Sequence, residues 1–347
     1  MAAVDKFLFD RAAQIATQAN LPWAELDGKT VLVTGSTGLI GSQIVRTLLS
    51  RNDCVDAGIS VVLPVRNIKK AQALFGDRND VSVLEWSLGD ELAGSERVDY
   101  VVHAACGTSS KSFLETPATT IMQIVHGGDA VLRYAYSVDA KKVLFLSTME
   151  VYGEVEGVAT EDNLGKLDPM VVRNSYPEAK RLVECLCASY ATEHGVPSVV
   201  MRLAQTFGEG VHPDDMRVFA DFGRHAIDGK DIVLLSDGLK RNGYLSVDDS
   251  VRAILIALVN GQSGEAYNAV NEDAYCSIRE MAQLVLDQFG AEGTQVRREF
   301  DPEREATFRK ASDLMLDSSK LKALGWEPND SLSDMYRAMI DCWSVHD

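Results

Sequence analysis

The chain has 347 residues, of which 46% are hydrophobic, so it can bury a sizeable core and is long enough for about two domains. Lysine and arginine number 34 against 51 aspartate and glutamate, and the resulting net charge of -17 argues against a generic polyanion-binding surface. We therefore expect a globular protein that does not bind nucleic acid.

No apolar run reaches the roughly 20 residues that a membrane-spanning helix needs, and the N-terminus lacks a signal-peptide pattern. These features predict a cytoplasmic protein without a membrane partner. The cysteines form neither CxxC pairs nor clusters with histidine, so we expect buried free thiols and no metal site. They are Cys54, Cys106, Cys185, Cys187, Cys276 and Cys342.

The first predicted element is an amphipathic helix over residues 5–19, within an N-terminal helical extension over residues 1–27. Its apolar side consists of Phe7, Leu8, Ala12, Ile15 and Ala16. Because the helix carries no group of polar side chains suited to catalysis, we interpret it as a docking element that covers the sheet or an interface.

From Lys29 onward the pattern alternates between strands and helices, which predicts a parallel sheet. The predicted strands cover residues 31–34, 59–65, 81–86, 98–104, 142–147 and 197–203. The fold class is therefore α/β, with a doubly wound parallel sheet whose ligands bind at the carboxyl ends of the strands. After Leu203 the regularity loosens, and the remainder predicts a smaller C-terminal α/β lobe.

The first predicted strand runs into a glycine-rich turn with the spacing GxxGxxG. Glycines here allow a tight reversal and a close approach of backbone amides to a pyrophosphate, which the following helix N-terminus stabilises through its dipole. The apolar strand before the turn and the apolar-periodic helix after it are the context that a dinucleotide site requires. The predicted cofactor-binding residues of this turn are Gly35, Thr37, Gly38, Leu39, Ile40 and Gly41.

The turn assigns residues 28–202, together with about 241–262, to a dinucleotide-binding domain. Residues 203–240, together with about 263–347, then form a substrate-binding lobe.

Tyr176 and Lys180 lie four residues apart on a predicted helix, which puts a phenol and an ammonium on the same face. A nearby positive charge favours the phenolate, so we expect Lys180 to make Tyr176 a usable base near neutral pH. This pair, downstream of a dinucleotide turn, indicates a redox enzyme.

These motifs resemble the extended short-chain dehydrogenase/reductase superfamily, in its branch of NAD(P)-dependent nucleotide-sugar epimerases, dehydratases and decarboxylases. The likeness runs from about Lys29 to Trp343. Its further stretches are Val102-His103-Ala104-Ala105, Leu146-Ser147-Thr148-Met149-Glu150-Val151-Tyr152-Gly153, Arg202 to Gly210, Arg241 to Asp249 and Leu316 to Trp326. The resemblance implies a Rossmann domain, a homodimer formed through a helix bundle and a role in carbohydrate biosynthesis.

By this resemblance Tyr176 takes the proton from a sugar hydroxyl while hydride passes to the nicotinamide. Lys180 also holds the cofactor ribose, and Thr148 orients the same hydroxyl. Glu150 resembles the base that removes a proton beside the new ketone in dehydratases and decarboxylases. The 4,6-dehydratases of one subgroup carry an aspartic acid where this chain has Met149, and methionine cannot donate a proton.

Cofactor choice depends on the end of the second strand, where an acid would bind the ribose of NAD and an arginine can accommodate the 2′-phosphate of NADP. This chain has Arg66 and Asn67 there, which favours NADP over NAD and leaves NAD as the alternative. His103, Ala104 and Ala105 follow the fourth strand and are assigned to the cofactor site, with His103 in a structural role.

A diphosphate-linked substrate requires fixed cations or amide donors. Arg241 resembles the arginine that the family uses for the diphosphate, and Gln205 stands where relatives often carry asparagine. The loop after the fourth strand offers further candidates for the sugar pocket, which are Ser109, Ser110 and Lys111. Arg202 is another cation that an anionic substrate could use.

The resulting hypothesis is an NAD(P)-dependent enzyme that oxidises a sugar hydroxyl of a nucleotide-sugar to a keto intermediate, followed by epimerisation, elimination or decarboxylation. One alternative is an NADPH-dependent carbonyl reductase of a keto-sugar or polyol precursor, indicated by Arg66 and Met149. A second alternative, from another class, is a non-catalytic dinucleotide-binding module.

Overall fold

A computed structural model of the protein describes residues 2–94, 97–107, 110–299 and 313–345. In chain order the strands are β1 (Thr30–Thr34), β2 (Ser60–Val65), β3 (Val81–Glu85), β4 (Tyr100–His103), β5 (Lys142–Thr148), β6 (Val158–Ala159), β7 (Ser198–Leu203), β8 (Gln205–Phe207), β9 (Ile232–Leu234), β10 (Arg241–Ser246), β11 (Ala266–Ala269), β12 (Asn271–Ser277), β13 (Val296–Arg298) and β14 (Met315–Leu316).

The helices are α1 (Ala3–Ala16), α2 (Trp23–Leu26), α3 (Leu39–Val55), α4 (Ile68–Phe75), α5 (Ser110–Glu115), α6 (Pro117–Ser137), α7 (Ser175–Glu193), α8 (Val218–Ile227), α9 (Val247–Asn260), α10 (Ile278–Phe289), α11 (Ser319–Lys322) and α12 (Leu332–Ser344). Short 3₁₀ turns cover Met149–Tyr152 and Val172–Asn174.

Within the described residues, seven parallel strands form the central sheet in the order β11-β7-β5-β4-β1-β2-β3. Successive side chains of β1 pack on opposite faces of the sheet: Val31 and Val33 lie in one hydrophobic core, and Leu32 lies in the other. The strand order reverses between β1 and β4, where Thr34 pairs with His103. This architecture confirms the predicted α/β class, and it puts the ligand crevice at the carboxyl ends of β1, β4 and β5.

The seventh strand, β11, was not predicted in this sheet, because residues 263–347 were assigned to the lobe. It pairs in parallel with β7 from Ala266 to Ala269. A strand of four residues shows too little alternation to be recognised from its own sequence. The division into a dinucleotide-binding domain and a lobe stays a prediction.

The smaller sheet of β12, β10 and β8 has its own hydrophobic core, built around stacked aromatic rings. Phe207 stacks on Phe219 with 4.6 Å between ring centroids, and it meets the edge of the Tyr244 ring. The parallel pairing of β8 with β10 joins Gln205 to Tyr244. The two predicted substrate residues Gln205 and Arg241 therefore share one small sheet.

The N-terminal helix α1 packs mainly against α3, so it covers a helix of the main layer and not the sheet directly. Leu8, Ala12 and Ile15 are buried in this contact, as the amphipathic pattern predicts. The amide of Gln43 on α3 donates to the backbone oxygen of Leu8 at 3.3 Å. Because α3 follows the glycine turn, α1 buttresses the element that carries the predicted cofactor site.

The cysteines are all free, but the expectation that all of them are buried holds only for Cys187 and Cys342. Cys106 and Cys276 are half-buried, and Cys54 and Cys185 are exposed. Cys185 and Cys187 face opposite sides of α7, since Cys187 is buried. In the described part of the chain no helix has the length and apolarity needed to cross a membrane. The same residues contain no group of three or more histidine, cysteine or acidic side chains arranged to hold a metal ion.

Candidate active site

The glycine turn between β1 and α3 has the close packing that a dinucleotide site needs. Gly35 has a φ of 67°, and a Cβ there would lie 2.7 Å from the carbonyl group of Ala104. A Cβ on Gly41 would overlap the carbonyl oxygen of Gly35. Only glycine therefore lets the strand, the turn and the helix approach this closely.

The same turn leaves polar groups free for a phosphate. Gly38 is the N-cap of α3 and gives its first amides no side-chain acceptor. The Ser36 hydroxyl is buried and has no hydrogen-bond partner among the described residues. These donors fit the pyrophosphate of a dinucleotide at a helix N-terminus. Thr37 lies in the turn, and Leu39 and Ile40 begin the helix.

His103, at the end of β4, is a buried neutral group. Its Nδ1 lies 2.8 Å from the Thr34 hydroxyl, which also accepts a hydrogen bond from the Ala105 amide. Burial, with a smaller contribution from the charge of Lys180, lowers the pKa of His103 to about 3. The ring therefore carries no charge at neutral pH, and it links the ends of β1 and β4. Its structural role beside the cofactor stays a prediction.

Arg66 and Asn67 stand directly after β2, at the same edge of the sheet. Asn67 is the N-cap of α4, and its side chain accepts from the Lys70 amide at 2.9 Å. Arg66 is exposed. An exposed guanidinium at this strand end can reach a phosphate, whereas the capping amide is already engaged.

Tyr176 and Lys180 lie in the first part of α7, beside the carboxyl end of β5. The Tyr176 hydroxyl lies beside Thr148, the last residue of that strand, whose side chain lowers the pKa of the phenol. The Lys180 ammonium donates to the backbone oxygen of Leu146 at 2.7 Å and lies 5.9 Å from the Tyr176 ring centroid. The structure thus brings three of the predicted catalytic residues together.

Our expectation that Lys180 makes Tyr176 a base near neutral pH is not met by the protein alone. Burial raises the pKa of Tyr176 well above that of an ordinary tyrosine, because the phenolate loses hydration. Nearby Cys106 and Glu150 raise this pKa further. The neighbouring Thr148 side chain and the positive charge of Arg173 lower it. The ammonium of Lys180 is turned instead to the backbone of β5.

Glu150 follows Thr148 in the 3₁₀ turn after β5 and forms an ion pair that the sequence did not predict. Arg173 Nη1 lies 2.9 Å from its Oε2, and Nη2 donates to its Oε1 at 3.2 Å. The pair is partly exposed, at about a third of each side chain. Its position three residues before Tyr176 was the available signal for Arg173.

Phe113 of α5 covers the Tyr176 ring. The two rings are stacked, with centroids 4.4 Å apart and planes 13° from parallel. The Arg173 guanidinium lies on the Phe113 ring, 5.1 Å from its centroid. Phe113 is the main apolar neighbour that sequence reasoning missed, because no spacing rule connects it to a residue more than sixty positions away.

A buried ion pair stabilises the end of β5. Arg202 donates from Nη2 to Oε2 of Glu184 at 2.8 Å, and the Ser147 hydroxyl donates to the other oxygen of that carboxylate. Arg202 also reaches the Tyr152 hydroxyl at 3.0 Å. Arg202 is therefore a structural cation, and the expectation that it could meet an anionic substrate is wrong. The spacing of four residues from Lys180 could have revealed Glu184.

The predicted substrate residues are only partly described. Arg241 begins β10 and pairs with Glu280, Nη1 lying 2.8 Å from Oε2, so a diphosphate there would have to compete with that carboxylate. Ser110 and Lys111 begin α5. Ser109 lies outside the described residues. Gln205 opens β8 at the edge of the lobe.

Together these residues can hold a dinucleotide at the ends of β1 and β4 and present a phenol, a hydroxyl and a carboxylate at the end of β5. A bound NAD would supply a hydride acceptor. The chain itself places a phenol in Tyr176, a hydroxyl in Thr148 and a partly exposed carboxylate in Glu150, groups that can take part in proton transfer. This combination suits oxidation of an alcohol followed by proton transfer at a neighbouring carbon.

Comparison with known proteins agrees with this chemistry. The low-salt glycan biosynthesis protein Agl12 of Haloferax volcanii is 29% identical over 316 residues, which cover 90% of this chain and 97% of that protein. UDP-glucuronic acid decarboxylase 1 of Xenopus tropicalis is 28% identical over 310 residues, covering 88% of this chain and 70% of that protein.

Among solved structures, a dTDP-glucose 4,6-dehydratase from Streptomyces venezuelae with NAD bound has the same fold, with a TM-score of 0.72 and 24% identity over 91% of this chain and 97% of that one. The model of the NAD dependent epimerase/dehydratase family matches residues 31–271, which is more than half of the chain. The chain therefore belongs to the NAD-dependent epimerase/dehydratase family.

Proposed function

We propose that this enzyme oxidises a hydroxyl of a nucleotide-linked sugar to a ketone and then uses Glu150 to move a proton at the neighbouring carbon. The observation that carries the proposal is the position of Thr148 beside Tyr176, close enough to lower the pKa of the phenol, with Glu150 two residues further along. In this proposal Tyr176 is the base for the hydroxyl and Glu150 is the base for the adjacent carbon, both at one strand end.

In the first step Tyr176 accepts the hydroxyl proton; a bound nicotinamide cofactor would take up the hydrogen of the same sugar carbon as hydride. Thr148, which lies beside the phenol, holds the same sugar hydroxyl in line. Lys180, buried and fixed to the backbone of β5, adds a positive charge at the cofactor side. The cationic nicotinamide further favours the phenolate, which offsets part of the burial cost.

In the second step Glu150 removes the proton from the carbon beside the ketone, and the electron pair of that C–H bond moves into the keto group. Met149 cannot protonate a departing hydroxyl, so this chain supports epimerisation or loss of a carboxyl group better than 4,6-elimination. Loss of CO₂ from the carbon beside a ketone would break the C–C bond instead and move its electron pair into the keto group, and Glu150, once protonated by solvent, would give a proton to that carbon.

The nucleotide would lie along the lobe. Gln205 and Arg241 lie in the same small sheet. The Arg241 guanidinium is the cation proposed to bind the diphosphate, which would replace Glu280 as its ionic partner. Ser110 and Lys111, at the start of α5, are proposed to line the sugar pocket with Ser109. UDP and dTDP occur in the names of relatives, so these two nucleotides come first in a substrate panel.

Within the NAD-dependent family, the preference for NADP rests on Arg66, because no acid stands at the end of β2 to bind the ribose 2′-hydroxyl. Titration of the protein with NAD and with NADP tests this preference. Tighter binding of NADP that disappears in Arg66→Ala supports it, and tighter binding of NAD in both proteins rejects it.

We further propose a homodimer formed through the outer faces of α6 and α7, which pack side by side. Large apolar side chains remain exposed on these helices, including Met122, Tyr136 and Leu182. A dimeric mass in solution that becomes monomeric in Leu182→Glu supports this assembly. A monomeric unaltered protein rejects it.

The decisive experiment mixes the cofactor-loaded enzyme with UDP- and dTDP-sugars and follows the nicotinamide absorbance in a single turnover, with products identified by NMR. Transient reduction followed by reoxidation supports the closed cycle. Net consumption of NADPH with a sugar ketone would favour the alternative reductase, which Met149 and Arg66 also suit. Absence of any turnover would leave a dinucleotide-binding module.

A further inference from the structure

Arg173 lies just before the helix that carries Tyr176, but its side chain pairs with Glu150. It lies in the 3₁₀ turn Val172–Asn174, which runs directly into α7. Its Nη2 donates to Oε1 of the carboxylate at 3.2 Å, and its Nη1 lies 2.9 Å from Oε2 as an ionic contact without hydrogen-bond geometry. One hydrogen bond and one ionic contact, each to a different oxygen, restrict the rotation of the carboxylate about its last bond more than a single contact would.

The guanidinium is itself held by an aromatic ring. It lies on Phe113, 5.1 Å from the ring centroid, and Phe113 stacks in turn on Tyr176. The Ser175 hydroxyl donates to the Phe113 backbone oxygen at 3.3 Å and so ties α5 to α7. A planar cation stacked on a ring has few alternative orientations. The orientation of Glu150 is therefore coupled, through Arg173 and Phe113, to the position of the Tyr176 ring.

Other cations near this site have different partners. Lys180 donates to a carbonyl of β5, and Arg181 donates to the backbone oxygens of Val151 and Gly165. Arg202 is paired with Glu184. Within the described residues, Arg173 is the cation that meets Glu150.

We propose that Arg173 is a positioning residue that aims the Glu150 carboxylate at the sugar carbon beside the keto group. This inference rests on the proposed function, in which Glu150 takes the proton from that carbon. The carboxylate gains the proton, and the C–H electron pair moves into the keto group. Arg173 neither gains nor loses a proton. A base must lie within hydrogen-bond reach of the proton that it removes, so a carboxylate free to rotate reacts more slowly.

The first test is Arg173→Lys, which keeps the charge but loses the planar fork. We expect cofactor reduction in a single turnover to stay within about threefold of the unaltered rate, while the following step slows by about 10- to 100-fold. Reduced cofactor and the keto-sugar should therefore accumulate, and solvent deuterium should enter the sugar more slowly. Equal slowing of both steps would indicate a merely structural role and overturn the inference.

The second test is a double-mutant cycle with Glu150→Gln. If Arg173 acts through Glu150, Arg173→Lys has no further effect on the second step once that carboxylate is gone. An additional loss of about tenfold in the double variant would show that Arg173 acts independently and reject the proposal.

Arg78→Lys is the matched control, because Arg78 also pairs with carboxylates, at Asp53 and Asp80, but precedes β3 at the opposite edge of the sheet. It should leave both steps unchanged. Failure of the unaltered protein to reduce bound cofactor would overturn the proposed function, and this inference with it. Normal reduction with an unchanged second step in Arg173→Lys would overturn this inference alone.

Discussion

The carboxyl groups of Glu209 and Asp248 face each other in the protein interior, where one arginine of the N-terminal helix meets both. Arg11 Nη2 lies 2.6 Å from Oδ2 of Asp248 and 3.7 Å from Oε2 of Glu209. The Glu209 side chain is fully buried, and its oxygens have no hydrogen-bond partner among the described residues. Two carboxyl groups in this position can hydrogen-bond only if one holds a proton.

This pair makes stability depend on pH. Burial raises the pKa of Glu209 well above its ordinary value, and the neighbouring Asp248 raises it further, while Arg11 lowers it. Burial also raises the pKa of Asp248. The folded protein therefore holds protons that the unfolded chain releases, so this contribution to stability is complete below the ordinary carboxyl pKa. It is lost as pH rises through the raised value.

Glu209→Gln tests this directly, because the amide mimics the protonated acid and can donate to Asp248. We expect the variant to unfold at a higher temperature than the unaltered protein at alkaline pH, and to lose less stability between about pH 5 and about pH 9. Thermal unfolding across this range is the measurement. Glu193→Gln, at an exposed position, is the control. Parallel stability curves for Glu209→Gln and the unaltered protein would contradict the prediction.

Tyr176→Phe should abolish the oxidation step and leave cofactor binding intact. The phenol is the group that accepts the hydroxyl proton, and loss of a general base typically costs 10²- to 10⁴-fold, roughly. The measurement is single-turnover reduction of bound NAD, with NAD affinity determined in parallel. Tyr190→Phe is the matched control, since Tyr190 lies on the same helix but its hydroxyl donates to Asp129. Undiminished reduction in Tyr176→Phe would remove the tyrosine from the chemistry.

The charges of Arg173 and Glu150 should move the pH dependence of oxidation in opposite directions. Arg173 lowers the pKa of Tyr176, and Glu150 raises it. Oxidation needs the phenolate, so its rate rises as pH passes the phenol pKa. Arg173→Gln should therefore shift the rising limb of the rate to higher pH, and Glu150→Gln should shift it to lower pH. Shifts in the same direction would show that these charges do not act on Tyr176.

Most of the fold was predictable because its strands are continuous apolar runs separated by helices with clear periodicity. β1 to β5 and β7 were found close to their observed ends. β11 was missed because its four residues have little pattern of their own and it joins the sheet only through pairing with β7. Tertiary contacts, and not local propensity, determine the strand conformation of that segment.

The candidate site likewise contains residues that sequence spacing predicts and residues that it does not. Tyr176 and Lys180 were found because one helical turn links sequence spacing to a shared face. Phe113 was missed because it reaches Tyr176 only through the packing of α5 on α7. The raised pKa of Tyr176 was missed because it follows from burial, which spacing does not report.

Gly41→Ala tests whether the turn before α3 is built for a dinucleotide. The new Cβ would overlap the Gly35 carbonyl oxygen, so the turn must open and move the first amides of α3 away from the pyrophosphate. We expect NAD affinity to fall by at least about tenfold, which corresponds to about 1.4 kcal/mol. Gly94→Ala is the control, because its Cβ would make only ordinary contact with Tyr134, at 3.5 Å. Unchanged NAD affinity in a folded Gly41→Ala protein, measured by isothermal titration, would mean that the cofactor is held elsewhere.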